Sequence, residues 1–391
     1  MKGRNVVLVF LFYPYLVFSY TSFVPSHEGV CGNFSPFAEG VEAGELNPAN
    51  LVFSPEYSFN ILTVGMEYAL DMTIGEYLNL FSGEFLDKEK ERIRKVRDMK
   101  FVGGIRGGSF SYKTIGFNFS YFSYNTLHLP QEVMDLILYG NERDRKYNLN
   151  GVNGEICHGL SFKFFFAHKI GEYCGMGYGV KLLKGIAYCG VKEVDGYLET
   201  IFDKADSTWI SGRGEMIIET AEGGNGISID IGTIYYLGRG KFILSIYAQN
   251  VMSAMFWSTN SKEISASFVI DSTDLEKFKP DTTFQWKVED TRGKVFRSYL
   301  PPHIGIDLGK KGRRFKYVIG VGYPQYIGGG CEYLVWKDIK VRGGIGYRYS
   351  RWWLGIGIGY HRSIFKLDTG LRWNSWGYFS AALGVSLVSS D

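Results

Sequence analysis

What this 391-residue chain lacks narrows its class before any motif is read. No segment approaches the ~18 uninterrupted apolar residues that mark a spanning helix. The longest candidate, Val6 to Phe18, is short and carries Pro14. Anything embedded in a bilayer must therefore be built from strands. Cysteine is scarce: Cys31, Cys157, Cys174, Cys189 and Cys331 are too scattered for the close pairs of a zinc site, so no metal is expected. Cys157, Cys174 and Cys189 fall in consecutive predicted strands or their turns, which leaves a cross-strand disulfide open. The odd total leaves at least one free thiol, and small apolar filling is the favoured role. Acylation of Cys31 is not expected, because the preceding Glu28-Gly29-Val30 lies well beyond the apolar run. The ten prolines form no linker, so one domain suffices. Positive charge is also in short supply. A net +3 loses two more charges if Lys2 and Arg4 leave with a cleaved leader, which gives no footprint for nucleic acid.

Catalytic groups are thin as well. His128, His158, His168, His303 and Asp230 stand without a recognisable nucleophile context, so no catalytic residue is expected. Gly-x-Gly patterns such as Gly355 to Gly359 lie inside strands with no helix after them, whereas a phosphate loop needs a strand before it and a helix behind. No cofactor follows from them.

What the chain has in abundance is alternation. Val341, Ile345 and Tyr347 alternate with Arg342, Gly344 and Arg348; Phe365, Leu367, Leu371 and Trp373 with Lys366, Asp368, Gly370 and Arg372; Phe379, Leu383, Val385 and Leu387 with Ser380, Gly384 and Ser386. Each such segment is a strand with one apolar and one wet face, and many in series imply a closed sheet. A soluble sandwich turns the apolar face inward, and a membrane barrel turns it to lipid. Composition favours the barrel: 50 Gly, 27 Tyr, 29 Phe and 8 Trp supply aromatic girdles and bare faces. After Trp352 and Trp353, the strand Leu354, Ile356, Ile358, Tyr360 has only Gly355, Gly357 and Gly359 on its other side. A soluble core would be void there, whereas a lumen accommodates water or an inserted plug.

The fold class read from these features is all-β: a transmembrane antiparallel barrel of roughly 14 to 16 strands, with a few short helices in loops. Residues 1–22 read as a signal peptide, with Lys2 and Arg4 before the apolar run and small Ser19, Thr21 and Ser22 after it. Residues 23–55, rich in Gly, Pro, Asn and Glu, read as a segment separate from the wall, and 56–391 as the barrel. Helical insertions are predicted near 73–98, where Ile74, Tyr77, Leu78 and Phe81 follow the 3.6-residue period before a second helix opening at Asp87, and near 130–140, where Pro130 starts an apolar stripe of Val133, Met134, Ile137 and Leu138. A polar loop is expected over 141–153 and a longer one from Ser272 to Gly293. Turns are legible at Gly223 to Gly226, Gly238 to Gly240 and Lys310 to Arg314.

Just before the first strand stands Gly40-Val-Glu-Ala-Gly44-Glu-Leu-Asn47-Pro48-Ala49. Pro48 pushes Asn47 toward an extended backbone, and Ala49 is small enough for close approach to a wall strand. A Gly-rich amino-terminal segment followed by Asn-Pro-Ala and a long all-β chain resembles the FadL-like superfamily of bacterial outer-membrane barrels, which includes PorV-type proteins. The helix pair after the first strand and Leu129-Pro130 after the third resemble one branch of it. Glu42 and Glu45 replace the family's Ala-Asp-rich stretch, and the carboxy terminus lacks a final aromatic residue.

The resemblance implies an outer-membrane location in contact with outer-membrane lipid, and binding or passage of a small hydrophobic ligand such as a lipid or fatty acid. It also implies a hatch formed by Gly40, Gly44, Asn47, Pro48 and Ala49. Amphipathicity adds Leu78, Phe81, Met134 and Leu138 as candidate contacts for a hydrophobic ligand. The alternative is a PorV-type scaffold without transport, whose loops bind an exported protein or a secretion-system partner.

Overall fold

The computed structural model describes residues 23–32, 34–70, 87–95, 98–140, 142, 144–202, 208–238, 241–274, 285–323, 326–348, 351–374 and 378–389. The expected signal peptide and the first insertion helix, with Leu78 and Phe81, lie outside the described residues.

The described strands are, in order, β1 (Tyr57–Leu70), β2 (Asp98–Tyr112), β3 (Ile115–His128), β4 (Arg145–Asn148), β5 (Asn153–Lys169), β6 (Cys174–Phe202) and β7 (Thr208–Ala221). There follow β8 (Gly223–Leu237), β9 (Phe242–Thr259), β10 (Lys262–Asp274), β11 (Gln285–Arg292), β12 (Phe296–Ser298) and β13 (His303–Lys311). The last six are β14 (Phe315–Tyr323), β15 (Tyr326–Trp336), β16 (Ile339–Arg348), β17 (Arg351–Arg362), β18 (Phe365–Trp373) and β19 (Tyr378–Val388). Fourteen of them form the wall in the order β1-β2-β3-β5-β6-β8-β9-β13 and on through β19, every pair antiparallel. Tyr68 opposite Phe379 and Ser58 opposite Val388 close the ring between the first and last strands. Closure leaves the wall without a free edge.

Alternation sets the faces. On β17, Leu354, Ile356 and Ile358 are exposed outward while Gly355 and Gly357 turn in. On β13, Ile304, Ile306 and Leu308 are exposed, whereas Asp307 is fully buried inside. Arg342, Asp368, Arg372 and Ser380 are likewise buried on the inner face. Apolar residues outside and charge inside is the reverse of a soluble core and the pattern of a strand-built membrane span.

The two ends differ. Tight turns join β2 to β3, β8 to β9, β13 to β14, β15 to β16 and β17 to β18 at the end where both termini of the wall lie. The opposite end carries an outer sheet. There β6 runs on past the wall and pairs over Tyr188–Phe202 with β7, which pairs with β10, which pairs with β11, while β4 lies on the other edge of β6. The loops expected over 141–153 and 272–293 therefore contain strand: β4 in the first, the end of β10 and all of β11 in the second. Apolar residues are few in them, Tyr147 alone in β4 and Trp286 and Val288 in β11, so the alternation is too short to betray a strand.

Three helices besides the amino-terminal turns are predicted, and two are described. α3 (Asp87–Ile93) and α4 (Gln131–Tyr139, opened by Pro130) follow the two short helices of the amino-terminal segment, α1 (Pro25–Glu28) and α2 (Val41–Leu46). α3 and α4 bury Ile93, Met134 and Leu138 against Met99 and Leu129, with Phe101 and Leu127 alongside. Leu127 shares the face of β3 that exposes Ile115, so these helices pack on the outer side of the wall. Asp135 of α4 fastens the pair through Arg94 (2.6 Å) and Arg145.

Candidate functional site: an occluded lumen

Residues 23–55 fold inside the barrel. α1 lies on β17, β18 and β19; the turn Ser35–Phe37 on β9 and β13; α2 on β1, β2 and β3; and the turn Pro48–Phe53 on β5, β6 and β8. Val30 fills the gap at Gly330 of β15 and Gly344 of β16, and packs with Phe34, Phe37 and Val318 of β14. The segment thus touches every strand of the wall.

Bare glycine faces make this possible. A Cβ on Gly357 would meet the Cα of Gly29 at 3.1 Å, and one on Gly355 would meet the Sγ of Cys31 at 2.9 Å. A Cβ on Gly177 would overlap the backbone of Pro48 and Ala49. The empty side seen in the sequence of β17 is where backbone packs directly on backbone.

Polar bonds then fix the segment to the wall at Glu28, Ser35, Glu42, Glu45 and Asn47. Asn47 is fully buried; its side-chain amide donates to Ser245 Oγ (2.8 Å) and to the Thr233 carbonyl (3.0 Å), and its Oδ1 accepts the N–H of Ala49 (3.0 Å). That last bond caps the turn opened by Pro48. Ser35 donates to Asp307 (2.6 Å), and Asn50 binds the Ser35 and Ala38 carbonyls. Glu42 pairs with Lys366 (2.7 Å), while Glu28 takes Arg372 and Ser380 Oγ (2.7 Å). Glu45 accepts from Asn118 and lies 3.8 Å from Arg106, and its carbonyl receives Gln249.

The electrostatics follow burial and neighbours. Burial alone would raise the Glu45 carboxyl, but Lys163, Arg106 and Lys181 outweigh it and hold it below its ordinary value. Burial, then Arg372 and His303, push the His27 imidazole well below its ordinary value, and its Nδ1 accepts the N–H of Phe34 (3.1 Å). His27 is therefore neutral, with its proton on Nε2.

Above Glu45, Asp230 is clasped by Lys163 (2.6 Å) and Lys181 (2.8 Å), and it accepts the backbone N–H of Asn250 (2.8 Å). Asn250 has a positive φ of 54° and marks a shift in the β8–β9 register. Farther along the same inner face the lining turns apolar: Phe122, Leu183, Tyr188, Met255 and Trp257 cluster with Phe296 and Leu300. Tyr188 stacks on Trp257 at 5.1 Å, and the indole N–H donates to Ser298 Oγ (2.8 Å). The lumen is thus layered, with the amino-terminal segment at the short-turn end, an ionic band in the middle and the packed apolar cluster around Trp257 beneath the outer sheet.

Of the residues expected to act, Gly40, Gly44, Asn47, Pro48 and Ala49 come together inside the lumen, with Gly44 against the ring of Phe165. Met134 and Leu138 lie instead between α4 and the outer wall, away from that cluster. His158 bonds Tyr121 at 2.9 Å and His168 stacks on Tyr178, both on β5 but ten residues apart, while His303 on β13 packs against Tyr247 and Tyr326, so the three do not form one cluster. All five cysteines are free, which corrects the disulfide left open above: Cys157 faces Tyr188 across β5 and β6, and Cys189 faces Ile156. Sequence reasoning missed Asp230 with its two lysines, and the Trp257 cluster.

A closed 14-strand antiparallel barrel with an apolar exterior, a charged interior and its own amino-terminal segment seated in the lumen has the make-up of a membrane-spanning barrel. Solved structures share this fold across the chain. The Ralstonia pickettii toluene transporter TbuX is similar with a TM-score of 0.54 and 13% identity, covering 95% of this chain and 99% of its own. A Pseudomonas aeruginosa FadL homologue gives 0.51 and 12%, covering 96% and 100%. The P. putida toluene transporter TodX gives 0.53 and 10%, covering 95% and 99%. The FadL-like resemblance read from the sequence therefore holds at the level of fold. No protein-family model and no curated protein matches the sequence.

Proposed function

We propose that this protein is a bacterial outer-membrane channel for small hydrophobic compounds, exported by residues 1–22 and gated by the segment 23–55. The observation that carries the reading is the layering of the lumen: an aromatic-rich apolar cluster, then a band of buried ion pairs, then a polar-anchored segment that fills the short-turn end; in this reading the cluster parts to form a chamber for the solute. A hydrophobic solute gains from the chamber and is stopped by the ionic band until the segment moves. The transporters that share the fold carry toluene in their names, which fits a chamber built from Trp257, Tyr188 and Phe122; an acyl chain fits the same walls. Asn47, Pro48 and Ala49 are the moving latch in this reading, with Gly40 and Gly44 as its close-packed points. Leu78, Phe81, Met134 and Leu138 serve as an outer access surface. For Met134 and Leu138 this requires α4 to lift from the wall.

The test is mass spectrometry of hydrophobic molecules retained by the detergent-extracted protein, against an unrelated barrel from the same cells. Specific enrichment that is lost in Trp257→Ala supports the channel. Absence of enrichment, together with uptake unaltered when Asn47-Pro48 is replaced, sinks it.

One observation favours a second reading. Among the described residues β11 pairs only with β10, so the outer sheet presents a strand edge of the kind that recruits a partner chain. A PorV-type scaffold would use it, and would copurify with an exported protein rather than with a small molecule.

A further inference from the structure

Most buried cations of this barrel have an acid beside them, as Lys163, Arg342, Lys366 and Arg372 do. Outside that buried set, the connections from β8 to β9 and from β13 to β14 are different. They carry Lys241, Lys310, Lys311, Arg313 and Arg314, all exposed, and no acid stands in either turn. The turns are bonded to each other, the Lys311 N–H donating to the Lys241 carbonyl at 3.3 Å. Among the described residues none of the five has an ion-pair partner within salt-bridge distance. The acid that acts on this group is Glu39 of the lumen segment, which Lys311 and Lys316 reach from the inner side.

The side chains next to these turns place them at a particular depth. Lys310 ends the outward row Ile304, Ile306, Leu308, and its ammonium lies 5.6 Å from the ring of Phe242, which is also exposed. Phe315 begins β14 with its ring stacked on Tyr333 (4.4 Å) and on Tyr317 (5.6 Å), and beyond Tyr317 the outward row becomes Ile319 and Val321. Aliphatic, then aromatic, then cationic is the order met on leaving a bilayer through its headgroups. A soluble partner would not call for the aromatic step.

We propose that these two turns form a collar that binds the phosphodiester headgroups of anionic phospholipids in the leaflet at the short-turn end. The proposal rests on the membrane-barrel reading above and adds a lipid preference to it. Guanidiniums of Arg313 and Arg314 suit two-pronged bonding to phosphate, and Lys310 reaches the same level from the wall. The collar lies beside the mouth closed by the lumen segment, so bound lipid would neighbour Lys311 and, through it, Glu39.

The test uses the intact barrel in detergent, offered equal amounts of dioleoyl phosphatidylglycerol and dioleoyl phosphatidylcholine and read by native mass spectrometry. We expect phosphatidylglycerol to be retained about tenfold over phosphatidylcholine, a preference that shrinks with added salt and falls to near parity in K310Q/K311Q/R313Q/R314Q. If that variant fails to give the heat-dependent mobility shift of a folded barrel, K310Q/R313Q is read in its place. Equal retention of the two lipids by the folded wild-type barrel, or a preference untouched in the folded variant, overturns the proposal. So does displacement by millimolar inorganic phosphate, which would assign the cations to a soluble anion. Failure of the wild-type chain to fold into a heat-shifting barrel would instead sink the membrane reading, and is scored separately from lipid choice.

Discussion

The side-chain amide of Asn47 sits 2.8 Å from Ser245 Oγ, binding the amino-terminal segment to the short-turn end of β9, three residues after Phe242. The same amide reaches the Thr233 carbonyl on β8, so one residue ties the segment to two adjacent wall strands. Replacing it by alanine strands buried acceptors and uncaps the turn at Pro48, at a cost of about 1–3 kcal/mol to the seated state. Asn47→Ala should therefore raise the open-channel current in planar bilayers, while the heat-shift of the barrel on gels stays unchanged. Unaltered conductance would show that Asn47 is not a latch.

Gly177 tests the close approach from the wall side. A side chain there overlaps the backbone of Pro48 and Ala49, which cannot yield as a flexible side chain would. Gly177→Val should expel the turn 48–53 and expose the segment to added protease, with strand content by circular dichroism preserved.

Asp230 tests the ionic band. Asp230→Asn leaves Lys163 and Lys181 buried beside each other without their shared counter-ion. Breaking a buried pair in this way costs about 3–5 kcal/mol. The expected outcome is a lower unfolding temperature in detergent, partly restored by the further change Lys163→Met.

Acid should loosen the lumen segment through His27. Its folded value is depressed, so neutral His27 contributes stability that is complete above the unfolded value of about 6.5 and is lost as pH falls through that range. The charges facing it are Arg372 and His303, both of which oppose protonation. Glu45, also depressed, keeps its contribution until pH drops below the ordinary carboxylate range. Protease sensitivity of the segment should thus rise between pH 7 and pH 5, and His27→Gln should flatten that step.

The wall was legible because its chemistry repeats every second residue. Strands such as Leu354 to Tyr360 show an apolar face and a glycine face in the bare sequence, and Pro130, expected at the first helical position, is the N-cap of α4 one residue earlier. Asn47, Pro48 and Ala49 were legible as a motif, but their bonds to Thr233 and Ser245 were not, since those depend on which strands become neighbours. The same limit hid Asp230. Its lysines stand 67 and 49 positions earlier in the chain, and only the β5-β6-β8 register brings the three together. β11 stayed hidden for another reason: Trp286 and Val288 are its only apolar residues, an alternation too short to mark a strand.

Strand β6 has a consequence of a mechanical kind. Its 29 residues run from the short-turn end, past Gly177 and Lys181, into the outer sheet. At about 3.3 Å per residue its contour approaches 100 Å, with register shifts at Ile186 against β5 and at Lys192 against β7 where the strand bends. A pull on the outer sheet at Tyr197 or Glu199 is therefore transmitted along covalent backbone to the clasp at Asp230 and the glycine beneath Pro48. The outer sheet and the glycine beneath Pro48 thus share one strand, and a load on the sheet reaches the seat of the amino-terminal segment without passing through the lumen.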